Sequence, residues 1–224
     1  MRLGLLGGTF DPVHAGHLSM ARAAAAAARL DRVLLVPCSR PPHKERADLT
    51  DPYLRFGMVC LATTEGPELE ASPIELNRGG VSYTVETLRE LGERRPFDSC
   101  YLIMGSDSFA EIESWRCHAE ILERSAVVVI PRPGMDLETM RRRLSPSIVS
   151  ILRRPAALDA EAGGVDPGAG EPPFAIAVDT APVDASSTDI RDRVREGRPI
   201  AGLVAPAVEA FIRRQGLYGK TPVR

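Results

Sequence analysis

Short unbroken apolar runs alternate along this chain with longer stretches that favour helix. Arg2 to Leu6 reads as an opening strand, apolar at Leu3–Leu6 and halted by Gly7-Gly8. His17 to Leu30 is dominated by alanine, the strongest helix former. Arg32–Pro37 (RVLLVP) is the next strand, Pro52 to Thr64 a helix, and Leu69–Leu76 a weaker, more alternating strand. Tyr83 to Arg94 predicts a helix with Ser82 as its N-cap. Cys100–Met104 (CYLIM) is a strand stopped at Gly105, followed by short helices at Ser108 to Trp115 and His118 to Arg124. Ala126–Ile130 (AVVVI) is a further strand, ended by Pro131-Arg132-Pro133-Gly134. This alternation predicts βαβ units and an α/β fold, a doubly wound and mostly parallel sheet. Continuous apolar strands agree, because parallel strands are buried on both faces. Ligands are then expected at the carboxyl ends of the strands.

The stretch from Pro155 to Pro173 breaks the pattern. It is rich in Ala, Gly, Pro, Asp and Glu and has almost no large apolar side chains. Such a segment buries too little surface to offset its ordering entropy, so a flexible insertion at 155–173 is expected within one domain spanning 1–224. Beyond it come a strand at Phe174–Val178 and helices at Ser187 to Arg195 and Pro206 to Gln215, a C-terminal helical extension.

Composition narrows the function classes. Hydrophobic residues make up 44% and charged residues 26%, ordinary values for a globular protein able to bury a core. The formal net charge of -2 supplies no global positive field, so neither nucleic acid nor an anionic membrane is an expected partner. Cys38, Cys60, Cys100 and Cys117 form no C-x-x-C pair, which signals neither a zinc ribbon nor a thioredoxin-like site. The chain shows no charged leader before a long apolar run, and Arg22 and Arg29 bracket the alanine run between them. A cytoplasmic protein is expected. Nothing in the pattern specifies an oligomeric state.

The densest chemistry follows the first strand: Gly7-Gly8-Thr9-Phe10-Asp11-Pro12-Val13-His14-Ala15-Gly16-His17. Glycines let backbone N–H groups approach a phosphate, and the next helix points its positive end at the same place. His14 and His17, three apart, can share one face near the helix start. Two imidazoles beside a helix tip suit a polyphosphate whose charge shifts during reaction. A metal role for the pair is weaker, because no third ligand lies at a recognisable spacing. Further elements follow along the chain, the first two at strand ends expected to face the same crevice. In Pro41-Pro42-His43-Lys44 the lysine offers a point charge on a stiffened loop, although such a stretch is by itself more often a solvated turn. In Gly105-Ser106-Asp107-Ser108, Asp107 suits either a ribose hydroxyl or the cap of the next helix. Trp115, the only tryptophan, reads alone as core, and Ser82-Tyr83-Thr84-Val85 as an ordinary helix N-terminus. Ser186-Ser187-Thr188-Asp189-Ile190-Arg191 has a capping-box spacing and adds an arginine fork suited to phosphate.

His14-Ala15-Gly16-His17 resembles the H-x-G-H signature of the nucleotidyltransferase superfamily. The fuller GGTFDPVHAGH is similar to its nicotinate mononucleotide adenylyltransferase branch. The other elements follow in family order up to the ending Gln215-Gly216-Leu217-Tyr218, so the resemblance runs from residue 3 to about 218. It implies adenylyl transfer from ATP to nicotinate mononucleotide, with release of pyrophosphate, no covalent intermediate, and Mg²⁺ accompanying ATP. It implies His17 and His14 at the reacting phosphate, assisted by Lys44 and Arg191. Gly8, Thr9, Phe10, Gly105, Asp107, Ser187 and Thr188 would complete the ATP site. Thr84, Val85, Asp107, Trp115, Arg116 and Lys44 would hold the acceptor, with Trp115 stacked on the pyridine ring and the Arg116 amide at the carboxylate. Ala185 stands where the superfamily often has an aliphatic residue. The G-S-D-S element with Trp115 argues against phosphopantetheine or a phosphorylated alcohol as acceptor. Retention of both histidines, Lys44 and Arg191 argues against a non-catalytic nucleotide sensor. A class I aminoacyl-tRNA synthetase fragment fits poorly with the balanced charge.

Overall fold

The computed structural model describes residues 1–42, 49–96, 98–153, 173–178, 180 and 183–219. The expected insertion at 155–173 lies outside them apart from its last residue, and so does Lys44. Seven strands form one sheet: β1 Arg2–Gly8, β2 Arg32–Pro37, β3 Leu69–Ala71, β4 Ser99–Gly105, β5 Ala126–Ile130, β6 Leu152–Arg153 and β7 Ala175–Ala177. Their spatial order is β3-β2-β1-β4-β5-β7-β6, and each adjacent pair is parallel. The order reverses between β1 and β4, so a doubly wound sheet has its crevice there, outside the carboxyl ends of both strands. Register sets Leu6 beside Ile103, which brings the Gly8 and Gly105 turns to the same edge.

Helices cover both faces. On one face lie α1 (Ala15–Ala28), α2 (Pro52–Thr63) and the C-terminal Pro206–Gln215 helix, which pack with Leu6, Leu35, Ile103 and Val128. On the other, α3 (Ile74–Arg78), α4 (Thr84–Arg94), α6 (His118–Arg124), α7 (Leu137–Arg141) and α8 (Pro146–Ser150) enclose Leu3, Leu5, Leu102 and Val129. Successive strand residues feed opposite cores, which is why the strand runs are apolar throughout. Gly4 lacks a side chain for a packing reason: a Cβ there would lie 2.8 Å from Leu30 and 2.9 Å from Ile103. Among the described residues no helix is long and apolar enough to cross a membrane.

Several expected boundaries shift. The weak strand at Leu69–Leu76 ends at Ala71, and Ile74–Arg78 turns into a short helix behind Pro73. Glu75 draws that segment inward by accepting from the Thr87 hydroxyl at 2.6 Å. Ser82 does not cap α4; Tyr83 holds the N-cap position. The Ser82 hydroxyl instead accepts from the Ser39 N–H at 3.0 Å, joining the loop after β2 to the start of α4. The helix expected over Ser108 to Trp115 divides into α5 (Ser106–Phe109) and a 3-10 turn at Ile112–Ser114. Helix α1 begins at Ala15, ahead of the expected His17. The small elements α7, α8 and β6 lie beyond what periodicity signals, since each spans five residues or fewer.

Candidate active site

The turn leaving β1 is shaped by close contacts. Gly7 is exposed with open space where a side chain would stand. At Gly8 a Cβ would come within 3.1 Å of the Phe10 ring, a tight contact that glycine avoids where the ring folds under the turn. Phe10 is itself buried and left-handed, with φ 49°. A bulky residue adopts that conformation rarely, and its packing must hold it there. The Asp11–Pro12 bond is cis. Arg191, from the helix Ser187–Glu196 (α9), reaches beneath the turn and donates through Nη1 to the Asp11 carbonyl at 2.7 Å. Its Nη2 donates to Thr188 Oγ1 at 3.2 Å, and Ser187 Oγ donates to the Pro12 carbonyl at 3.0 Å. The serine-rich element therefore clamps the loop first. Ser186 caps the same helix at the Asp189 N–H. Thr188 keeps an exposed face.

His14 is the N-cap of α1 and His17 lies one turn inside, with ring centroids 3.7 Å apart. The His14 N–H donates to His17 Nδ1 at 3.3 Å. That bond places the proton of a neutral His17 ring on Nε2. Phe10 meets the His17 ring edge-on at 4.8 Å, which fixes the ring further. Burial, reinforced by the Arg132 guanidinium, pulls the His14 pKa down to about 4, so His14 is neutral at physiological pH. Of the helix-tip amides expected to face a ligand, Ala15 N–H is given to the Leu203 carbonyl at 2.8 Å. The tip thus contributes fewer open donors than its sequence suggests.

Across the crevice, Gly105 caps α5 and Asp107 follows it with an exposed carboxylate. Asp107 Oδ1 accepts from the Ser108 N–H at 2.8 Å, and Oδ2 lies 3.9 Å from Arg132 Nε. Gly105, not Asp107, holds the N-cap position, while Asp107 satisfies a first-turn N–H and keeps its carboxylate exposed beside Arg132. A Cβ at Gly105 would lie 2.7 Å from Arg132 Cγ, so glycine there lets the Arg132 stem cross the end of β4. Buried Ser106 fixes that crossing by accepting the Arg132 N–H and donating to the Met135 carbonyl. Arg132 Nη1 meets Met20 Sδ at 3.6 Å. Sequence reasoning read Arg132 only as part of a strand-ending turn, yet it is a guanidinium inside the crevice.

Of the residues expected to hold an acceptor, Thr84 and Val85 open α4, and Arg116 packs against Tyr83 and Glu86 beside them. Thr84 and Val85 occupy the first two positions of α4, where a helix leaves N–H groups without intrahelical acceptors. Trp115 is half-buried against the second core, consistent with a partly core role. Arg116 is exposed; its guanidinium stacks 4.5 Å over the Tyr83 ring and bonds Glu86 Oε1 at 3.2 Å. The other residue missed from sequence is Arg55 on α2, fully buried. It donates to the carbonyls of Thr9 (2.6 Å), Thr50 (2.9 Å), Cys38 (2.8 Å) and Ser39 (3.2 Å). One planar fork thereby ties the β1 turn to the loop after β2. An arginine within a helix carries no sequence signal of such a role. The described residues contain no group of three His, Cys, Asp or Glu able to hold a metal ion.

Comparison with known proteins agrees with this geometry. The family model described as cytidylyltransferase-like matches residues 5–193. A Pelobacter propionicus protein named "Probable nicotinate-nucleotide adenylyltransferase" is 39% identical, covering 99% of this chain and 100% of that one. A Trichlorobacter lovleyi protein of the same name is 38% identical over 97% and 99% of the two chains. A solved structure of Plasmodium falciparum nicotinic acid mononucleotide adenylyltransferase complexed with NaAD shares the fold. Its TM-score is 0.72 at 16% identity, covering 97% of each chain. With its paired histidines at the switch point and full-length relatives of one kind, the chain belongs to the nicotinate-nucleotide adenylyltransferase family of cytidylyltransferase-like proteins.

Proposed function

We propose that this chain transfers the adenylyl group of ATP to nicotinate mononucleotide, giving nicotinate adenine dinucleotide and pyrophosphate. The observation that carries this reading is the His14–His17 pair, 3.7 Å between ring centroids, on a clamped glycine turn at the sheet's switch point. A phosphate oxygen of the mononucleotide attacks the α-phosphorus of ATP. The bond from that phosphorus to the pyrophosphate oxygen breaks, and its electron pair leaves with pyrophosphate. The reaction makes no covalent enzyme intermediate, so the protein acts by positioning and by stabilising charge.

His17 donates from Nε2 to the α-phosphate as negative charge builds there, with its ring held by the His14 N–H. His14, neutral and buried, orients that ring and supplies the helix cap. The backbone of Gly8, Thr9 and Phe10 frames the phosphates, and Thr188, Ser187 and Arg191 hold that frame from below. Gly105 gives passage to Arg132, and Asp107 receives ribose hydroxyls. Lys44 supplies a cation to the attacking phosphate. Thr84 and the Val85 amide bind the nicotinate carboxylate together with the Arg116 amide, and Trp115 stacks on the pyridine ring. Mg²⁺ accompanies ATP and neutralises its outer phosphates. Carried on ATP, it would be held by phosphate oxygens and water rather than by a dedicated protein ligand, while the imidazoles and guanidiniums of the site address the phosphate oxygens. The 155–173 segment is proposed to be an insertion of a single domain.

The test is pyrophosphate release from Mg-ATP with nicotinate mononucleotide, nicotinamide mononucleotide and phosphopantetheine offered separately. Nicotinate mononucleotide is expected to give the highest kcat/KM. Release with phosphopantetheine alone overturns the reading.

A further inference from the structure

Tyr218 closes the family-like ending of the chain, yet the adenylyl-transfer scheme gives it no task. We infer that Tyr218 is a positioning residue of the ATP site, holding the phosphate loop through the Asp11 carboxylate; this rests on the adenylyl-transfer reading. The last helix, Pro206–Gln215, stops at Gly216, which is left-handed at φ 62°. Tyr218 is left-handed too, at φ 62°. A residue with a Cβ adopts that conformation rarely, and its contacts must hold it there. It turns the phenol back toward a residue 207 positions earlier, where its hydroxyl donates to Asp11 Oδ1 at 2.7 Å.

Asp11 has 2% of its surface exposed, and its other oxygen, Oδ2, is buried without a hydrogen-bond partner. A buried carboxylate needs its hydrogen bonds, so Tyr218, its one donor among the described residues, matters more than an exposed one would. Burial and the Asp11 carboxylate push the Tyr218 phenol well above its ordinary pKa, so it remains a donor. Asp11 is also the residue whose carbonyl receives Arg191 Nη1. One residue is thus gripped twice, at its main chain by α9 and at its side chain by the tail. Only buried Pro12 and Val13 separate it from His14, and Phe10 precedes it. A shift of Asp11 is therefore transmitted to the imidazole pair and to the turn facing the triphosphate. The proposed acceptor side, at Val85 and Trp115, belongs to the opposite core.

Tyr218→Phe keeps the ring and removes the hydroxyl, and with it the bond to Asp11 and the weaker 4.0 Å contact with Met58 Sδ. In the full-length variant, equilibrium binding of a non-hydrolysable ATP analogue with Mg²⁺ is expected to weaken about tenfold, the worth of one charge-assisted hydrogen bond. The KM for ATP should rise in parallel, while the KM for nicotinate mononucleotide stays within about twofold. A purely structural tyrosine would lower the unfolding midpoint and leave analogue affinity unchanged; that result overturns the inference, as does equal weakening of both substrates. Wild-type enzyme that binds the analogue but ignores nicotinate mononucleotide would overturn the acceptor assignment, and the analogue comparison would still judge Tyr218.

Discussion

At the scale of single residues, the two histidines separate into different tasks because their surroundings differ. His17 is half-buried, with Nδ1 already accepting, so its removal deletes a donor that acts on developing charge. His17→Ala is expected to leave the fold intact and lower kcat by about 10²–10³ in steady-state assays. Near-wild-type turnover would exclude it from the reaction. His14 is buried and resists protonation, with its pKa lowered from 6.5 to about 4. The unfolded chain binds that proton as pH falls through 6.5, and the native chain does so only near 4. Stability supplied by neutral His14 is complete above about pH 6.5 and is lost as pH falls toward 4. The loss amounts to about 3 kcal/mol across that window. Urea unfolding at pH 7 and at pH 4 should therefore show a smaller pH difference for His14→Gln than for wild type. Equal differences would mean that His14 is not the buried neutral group.

At the scale of elements, the crevice is built by side chains that join loops distant in sequence. Arg55 joins the β1 turn to the β2 loop, and Ser82 joins that loop to α4. Among the described residues Arg55 meets no carboxylate; its donors reach four backbone carbonyls and Cys38 Sγ. Arg55→Ala would strand several buried acceptors. A loss of at least about 3 kcal/mol in urea unfolding is expected, since bonds to a charged donor contribute about 1.5–3 kcal/mol each. A loss below about 1 kcal/mol would show that solvent replaces the guanidinium. Element reading from sequence worked where packing agreed with propensity. The alanine-rich helix and the buried runs of β1, β2, β4 and β5 fall within a residue or two of expectation. It failed at Leu69–Leu76, where Glu75 is pulled to Thr87, and at Ser82, where a cap-forming hydroxyl is drawn to Ser39. Long-range partners decide those cases, and they leave no local mark.

At the scale of the whole molecule, two cores on opposite faces divide the chemistry. The phosphate-side elements α1 and α2 pack with the C-terminal helix on the first core, whereas α4, α6 and Trp115 belong to the second. The parallel sheet brings both groups to one edge, at the reversal between β1 and β4. By itself the sequence determined the α/β class, the βαβ order, and the glycine–histidine and serine–arginine elements. These are written in local spacing and residue type, which survive without knowledge of the fold. Tertiary structure alone decided which partners those groups meet within the folded chain. Arg191 and Ser187 grip the loop, Ala15 gives its N–H to Leu203, Tyr218 reaches back from the chain's family-like ending to Asp11, and Arg132 and Arg55 come from outside the recognised elements. The physical reason is that a side chain's task is set by the partners that reach it within hydrogen-bonding distance. For this site those partners lie up to 207 positions away along the chain.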